Sequence, residues 1–334
     1  MAGIDVGEDF LDLATFSPAN RDLSLARVDL RTISPTPAER STRSQVEASA
    51  VTSLRAILIE TVPELAGATV LVDSPRWPRD LDWTEATGGG CSGRNEQTSL
   101  PAAHNTQTVV APYSRQGREI DAGLRALVST LRRRDTDSTL GPLSMFPTPP
   151  MRYFGAHLNV ASCKPHLRSL GQALFGEALN RDYGPASGGI FTRFMIAGFA
   201  TYRALETVAA EVYECYPDLQ FKLWCRGQRL LSKNSTNGRN AALASRIHVL
   251  SSLARKSGVR AFPQIKRMDE ADAAILALST AVARKHGMIL VVKNAGEGKF
   301  MVAMRGPEAR RLQQRWTSLL NPETVDPHHD LLEE

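Results

Sequence analysis

Asp5 is the residue that most constrains how this chain can fold. It stands in the middle of Gly3-Ile4-Asp5-Val6-Gly7, between β-branched residues and framed by glycines, and the alternating run Phe10-Leu11-Asp12-Leu13-Ala14-Thr15-Phe16 follows at once. Apolar alternation on both sides of a glycine-containing turn predicts a hairpin. A carboxylate in mid-strand is then presented on a rigid floor. Two readings stay open from these residues alone: a reactive acid, or an ordinary hairpin with an exposed Asp. Partner acids from later strands and helices separate them.

The chain goes on to supply such acids. Leu23 to Ile33 alternates again and predicts a third antiparallel strand. Pro35 and Pro37 interrupt it, and Glu39 to Val62 carries helical spacing through Val46, Ala50, Leu54, Ile57, Leu58 and Val62. Thr69-Val70-Leu71-Val72-Asp73 is a short apolar run stopped by Ser74-Pro75, the pattern of a strand buried on both faces. A buried strand after a helix implies a parallel crossover and hence an α/β sheet. Further on, Glu211-Val212-Tyr213-Glu214-Cys215-Tyr216 predicts another strand, with Val212, Glu214 and Tyr216 on one face and Pro217 as its stop. Asn237-Gly238-Arg239 opens a helix running through His248 to Arg255. The last strong helix starts at Asp269, where Asp269, Asp272 and Leu276 share a face because residues three and four apart are neighbours. Acids in a first turn also suit the helix dipole. Capping accounts for Asp269 well, and less well for Asp272, which heads a small apolar face.

Between these elements lie stretches of different character. Residues 76 to 118 contain Gly88-Gly89-Gly90 and Ser92-Gly93 without any sustained period, and are too long for an ordinary connection. They predict an irregular insertion. The three glycines lack the lysine and following Ser/Thr of a P-loop, so a loop is the simpler reading. Glu119 to Arg134 predicts an amphipathic helix whose closing Arg132-Arg133-Arg134 either complements the helix C-terminus or tracks a phosphate backbone. Residues 135 to 150 form a Pro-, Thr- and Ser-rich connection, and helical patterns return at His166 to Asn180 and Arg193 to Ala210.

Composition narrows the class. With 334 residues the chain can bury a large core, and an apolar content of 42% with 22% charged residues suits a soluble globular protein. No run approaches the roughly 18 to 20 apolar residues that span a bilayer, and no signal peptide is evident, so no membrane partner and a cytoplasmic location are expected. Cys91, Cys163, Cys215 and Cys225 are scattered without a C-x-x-C pair, which argues against zinc and against a disulfide framework. A net charge of +5 permits nucleic-acid binding.

The order of a hairpin with central Asp, a third strand, a helix, a strand ending in Asp, a strand with Glu and a late helix with Asp-x-x-Asp-Ala resembles the RNase H-like superfamily. Gly3-Ile4-Asp5, Val72-Asp73-Ser74-Pro75, the run from Val212 to Phe221 and Asp269-Glu270-Ala271-Asp272-Ala273 look more narrowly like a family of predicted RNase-H-like (RuvC-like) nucleases known mainly as an uncharacterised domain. Ser232-Lys233 with Gly238-Arg239 also fits that family.

The resemblance implies an α/β fold whose mixed sheet runs three antiparallel and then two parallel strands flanked by helices. It implies one domain over residues 1 to 320, carrying the irregular insertion at 76 to 118 and a helical one at about 151 to 210, with residues 321 to 334 as a tail. It further implies a magnesium- or manganese-dependent hydrolase binding two ions. Such ions prefer carboxylate oxygens, and a pair of them serves in-line phosphodiester cleavage. Asp5, Asp73, Glu214 and Asp272 would then be catalytic, with Asp269 a further metal ligand at the edge and Lys233 and Arg239 holding phosphate. The partner would be DNA or RNA, with a protein partner or a second copy as further candidates. Two other classes share such a beginning: a non-catalytic RNase H-like binding module, and a sugar-kinase or actin-like ATPase, which needs a second Asp-x-Gly phosphate turn and a Gly-Gly adenosine element in a repeated second domain, of which the chain holds no good copy.

Overall fold

The computed structural model describes residues 1–33, 43–74, 106–110, 197–198, 200–225, 230–233, 238–294 and 298–307. The predicted helices at 119–134 and 166–180, and nearly all of the predicted 76–118 insertion, lie outside the described residues.

The chain opens as its alternation dictates. β1 (Ala2–Val6), β2 (Phe10–Ser17) and β3 (Asp22–Asp29) form an antiparallel meander, closed at its first turn by the Gly7 amide donating to the Phe10 carbonyl at 2.8 Å. α1 (Arg43–Thr61) covers it and leads into β4 (Thr69–Asp73), which pairs with β1 in parallel. The third predicted strand ends at Asp29 rather than Ile33 because residues 30–32 turn as a short 3-10 helix capped by the Asp29 carboxylate. β5 (Thr106–Val110) is followed, after a helical stretch at 200–205, by β6 (Glu211–Glu214), α2 (Pro217–Trp224), α3 (Arg239–Ser257), α4 (Met268–His286), β7 (Met288–Asn294) and β8 (Gly298–Met304).

One mixed sheet runs β3-β2-β1-β4-β6-β8-β7, with β5 at its far edge. Three antiparallel and then two parallel strands are present as expected, but the sheet does not stop there. β8 joins β6 in parallel, β7 folds back on β8, and β5 adds in parallel to β7. The apolar runs at 288–292 and 300–304 therefore widen the sheet beyond the five-stranded expectation.

Two cores flank the sheet. On one face Ile4, Leu11, Leu13, Val70 and Val72 meet Leu54 and Leu58 of α1 and Tyr202 and Leu205 of the 200–205 helix. On the other, Ala14, Phe16, Leu71, Tyr213, Met301 and Ala303 meet α2, α3 and above all α4. Every residue from Glu270 to Ala283 in α4 is buried, so this helix lies inside the molecule, as one apolar all round must. Its alanines let it sit against the backbone of β1. A Cβ on Gly3 would lie 2.1 Å from the Ala273 carbonyl oxygen and 2.7 Å from the Leu276 Cβ. At the far end of α4, Arg284 Nη2 donates to Thr69 Oγ1 at 3.2 Å, at the start of β4. The helix thus runs antiparallel to β1 and aims its N-terminus at the strand end bearing Asp5. No helix among the described residues is long and apolar enough to cross a membrane.

Candidate functional site

Strand register assembles the site. Asp5 pairs with Asp73 across β1 and β4, with Asp12 across β1 and β2, and Asp12 pairs with Arg27 on β3. Paired residues project to the same face, so Arg27, Asp12, Asp5 and Asp73 form a row across four strands beneath the first turn of α4. Asp269 stands exposed in that turn, and Asp272, three residues on along the same helix face, is only 4% exposed.

The two ends of the row are electrostatically different. Asp12 is neutralised: Arg267 Nη2 donates to its Oδ1 at 2.8 Å, and Arg27 Nη2 lies 3.2 Å from its Oδ2. Burial raises its pKa and the two arginines offset only part of that rise. No hydrogen-bond donor among the described residues is directed at the Asp5 carboxylate. Its burial, and then the like charges of Asp272, Asp73 and Asp269, push its pKa well above the ordinary carboxylate value. Burial drives Asp272 up to about 7 even though Lys233 opposes the rise. The Lys233 ammonium donates to Asp272 Oδ2, while Asp272 Oδ1 is buried with no hydrogen-bond partner among the described residues. Burial works against the Lys233 ammonium, but Asp272 and Asp218 outweigh it and leave its pKa raised.

Capping of α4 falls to a different acid. The Glu270 Oε2 accepts from the backbone amides of Lys266 at 2.7 Å and Arg267 at 3.0 Å, and its Oε1 pairs with Arg267 at 2.6 Å. Glu270 thereby satisfies the helix start. The capping role that accounts for Asp269 in the sequence is therefore not needed from Asp269 or Asp272, and both remain turned to the row.

Asp5, Asp73 and Asp272 are thus brought together with Lys233, and Asp269 stands at the rim, 3.8 Å from Arg27. Glu214 is not brought to them. It pairs with Val72 on β4, and alternation assigns both to the face of Val70, Val72 and Val212, opposite Asp5 and Asp73. The expectation that Glu214 completes the same acid floor is corrected by this register. Cys215, one residue on, belongs to the Asp73 face, where burial and then Asp73 keep its thiol protonated. Arg239 is exposed at the first residue of α3.

Sequence reasoning passed over Asp12, Arg267, Asp218 and Arg246. Asp12 had a signal: a hairpin closed between Gly7 and Phe10 pairs residue 5 with residue 12. Arg267, Asp218 and Arg246 had none, since each acts through an element distant in sequence.

Several hard carboxylate oxygens, one of them orphaned, suit a hard divalent cation. As they stand they are not drawn into a finished ligand set: among the described residues no three His, Cys, Asp or Glu side chains are grouped to hold a metal ion. Among the described residues, the cation paired with Asp272 is the Lys233 ammonium.

A family model described as "protein of unknown function (DUF429)" matches residues 46–295, a span that holds Asp73, Glu214, Lys233, Arg239, Asp269 and Asp272 and begins after Asp5 and Asp12. No curated protein and no solved structure matches the chain.

Proposed function

The chain belongs to the family described as proteins of unknown function, DUF429, and from its acid floor we propose a metal-dependent nuclease that hydrolyses phosphodiester bonds of DNA or RNA. The observation that carries this reading is the pairing of Asp5 and Asp73 on adjacent parallel strands beneath Asp272, whose Oδ1 is buried without a hydrogen-bond partner among the described residues. The order β3-β2-β1-β4-β6 supports the RNase H-like (RuvC-like) assignment.

Asp5, Asp73 and Asp272 would hold Mg2+ or Mn2+, with Asp269 at the rim. When bound, a pair of such ions supplies an activated water and stabilises charge on the leaving oxygen. The remaining work belongs to the chain. Burial beneath α4 excludes bulk water around the carboxylates, which strengthens their hold on a cation. The N-terminus of α4 brings partial positive charge toward the same place, suited to a phosphate. Lys233 and Arg239 are the cations assigned to that phosphate, Lys233 from within the floor and Arg239 from the exposed start of α3. Asp12 is left out of ion binding because two arginines already occupy it.

The test is cleavage of labelled single- and double-stranded DNA and RNA with Mg2+ or Mn2+, beside Asp5→Asn and Glu214→Gln. The reading expects cleavage by the native chain, loss in Asp5→Asn of at least about 100-fold, a span of about 2.7 kcal/mol in barrier height, and retention in Glu214→Gln. Cleavage by Asp5→Asn, or by nothing under either metal, ends the proposal. Loss in Glu214→Gln would return Glu214 to the site. A second reading, a non-catalytic module binding nucleic acid or protein, draws on the ion pair between Lys233 and Asp272. Binding without cleavage selects it, and ATP turnover without cleavage selects the kinase-like class.

A further inference from the structure

Behind the acid floor lies a second charged group that the reaction above does not use. Asp218, in the first turn of α2, accepts from Arg246 Nη2 at 2.9 Å through its Oδ1, and the same oxygen lies 3.6 Å from Lys233 Nζ. Arg246 comes from the middle of α3, is 3% exposed, and also donates from Nη1 to the Leu231 carbonyl at 3.0 Å. One guanidinium therefore fixes both the carboxylate beside Lys233 and the backbone two residues before it. Its planar fork suits such a double role better than an ammonium would. The Lys233 ammonium sits between two acids, donating to Asp272 and within ion-pair range of Asp218.

We propose that Asp218, held by Arg246, is a positioning residue: it is the alternate seat to which Lys233 transfers when a divalent cation takes the Asp272 carboxylate. This rests on the metal-dependent reading. A cation seated on the open Oδ1 of Asp272 lies beside the ammonium held on Oδ2, and two positive charges on one carboxylate repel at low effective dielectric. Displaced from Asp272, the half-buried ammonium would lose its closest partner, and a charge held partly away from water without a partner is costly. Asp218 removes that cost, since it is already within 3.6 Å and already fixed by Arg246.

The experiment is a double-mutant cycle read by Mn2+ calorimetry on metal-stripped full-length protein: native, Asp218→Asn, Lys233→Gln, the double variant, and Asp5→Asn. Asp218→Asn is expected to weaken Mn2+ binding about tenfold, or about 1.4 kcal/mol. In the Lys233→Gln background its cost falls to about twofold or less, because coupled residues are non-additive. Asp218→Glu, which keeps the carboxylate, restores at least part of the affinity. NMR of the lysine side-chain ammonium groups in the unmutated chain supplies a readout that needs no tolerant variant. The Lys233 signal, identified by its loss in Lys233→Gln, shifts on addition of Mg2+. Equal cost of Asp218→Asn in both backgrounds, or a Lys233 signal unmoved by Mg2+, overturns the transfer while leaving the metal site standing. Absence of any Asp5-dependent Mn2+ binding overturns both.

Discussion

Asp5 and Asp272 are carboxylates kept where ionisation is unfavourable. Both have folded-state pKa values raised above the ordinary value, Asp272 to about 7. A raised acid contributes stability that is fully present below the unfolded pKa and is lost as pH rises through the folded one. In chelator, the melting temperature should therefore fall from about pH 4 to beyond about pH 7. Asp5→Asn removes part of that fall, and at about pH 8 should melt higher than the native chain by roughly 2–4 °C, the shift that about 1 kcal/mol produces in a sizeable domain. Protons compete with cations for the same oxygens, so Mn2+ affinity should rise steeply between about pH 6 and about pH 8, as thermal-shift titrations at each pH would read. A flat profile would contradict the repulsion assigned to this cluster. Burial raises Asp12 as well, but there Arg267 and Arg27 offset part of the rise.

At the scale of elements, the site depends on how closely α4 lies on β1. Gly3 allows that approach, because any Cβ there would meet the Ala273 carbonyl. Gly3→Ala forces the helix outward, and overpacking of a close contact costs about 1–3 kcal/mol, measurable by urea unfolding. Because the displaced turn carries Asp272, Mn2+ affinity should drop in Gly3→Ala even at temperatures where the variant is fully folded. A variant that binds Mn2+ normally would detach the helix position from the site. Asp269→Asn is the contrasting case. Glu270 carries the cap and Asp269 is exposed, so stability should stay within about 0.5 kcal/mol in the same assay. The elements themselves were legible where the period is strong: the β1–β2 hairpin, β4, α3 and α4 all follow from apolar spacing. β7 and β8 were not read, because a short apolar run does not reveal which strand edge will accept it.

For the whole molecule, the sheet is a divider between two cores, and what matters is which face an acid reaches. A mixed sheet covered by helices on both sides was readable from buried runs alternating with helical ones. Nucleic-acid binding, if it follows the proposed function, should weaken steeply with added salt, since phosphate contacts release counterions. Affinity for labelled single strands measured across a salt series checks this, and a salt-independent affinity would argue against a phosphate-tracking surface. The places of Asp5, Asp73 and Asp272 on their elements were legible in the sequence: mid-hairpin, strand end, helix start. Those local patterns determined which residues occupy strands and helices, and which acids interrupt apolar runs. Tertiary structure alone decided that Glu214 faces away, that Glu270 rather than Asp269 caps α4, and that Lys233, Asp218 and Arg246 meet. The reason is physical. Side chains alternate along a strand with period two, so a single residue of register between segments far apart in sequence moves an acid to the other face. No local pattern carries that parity.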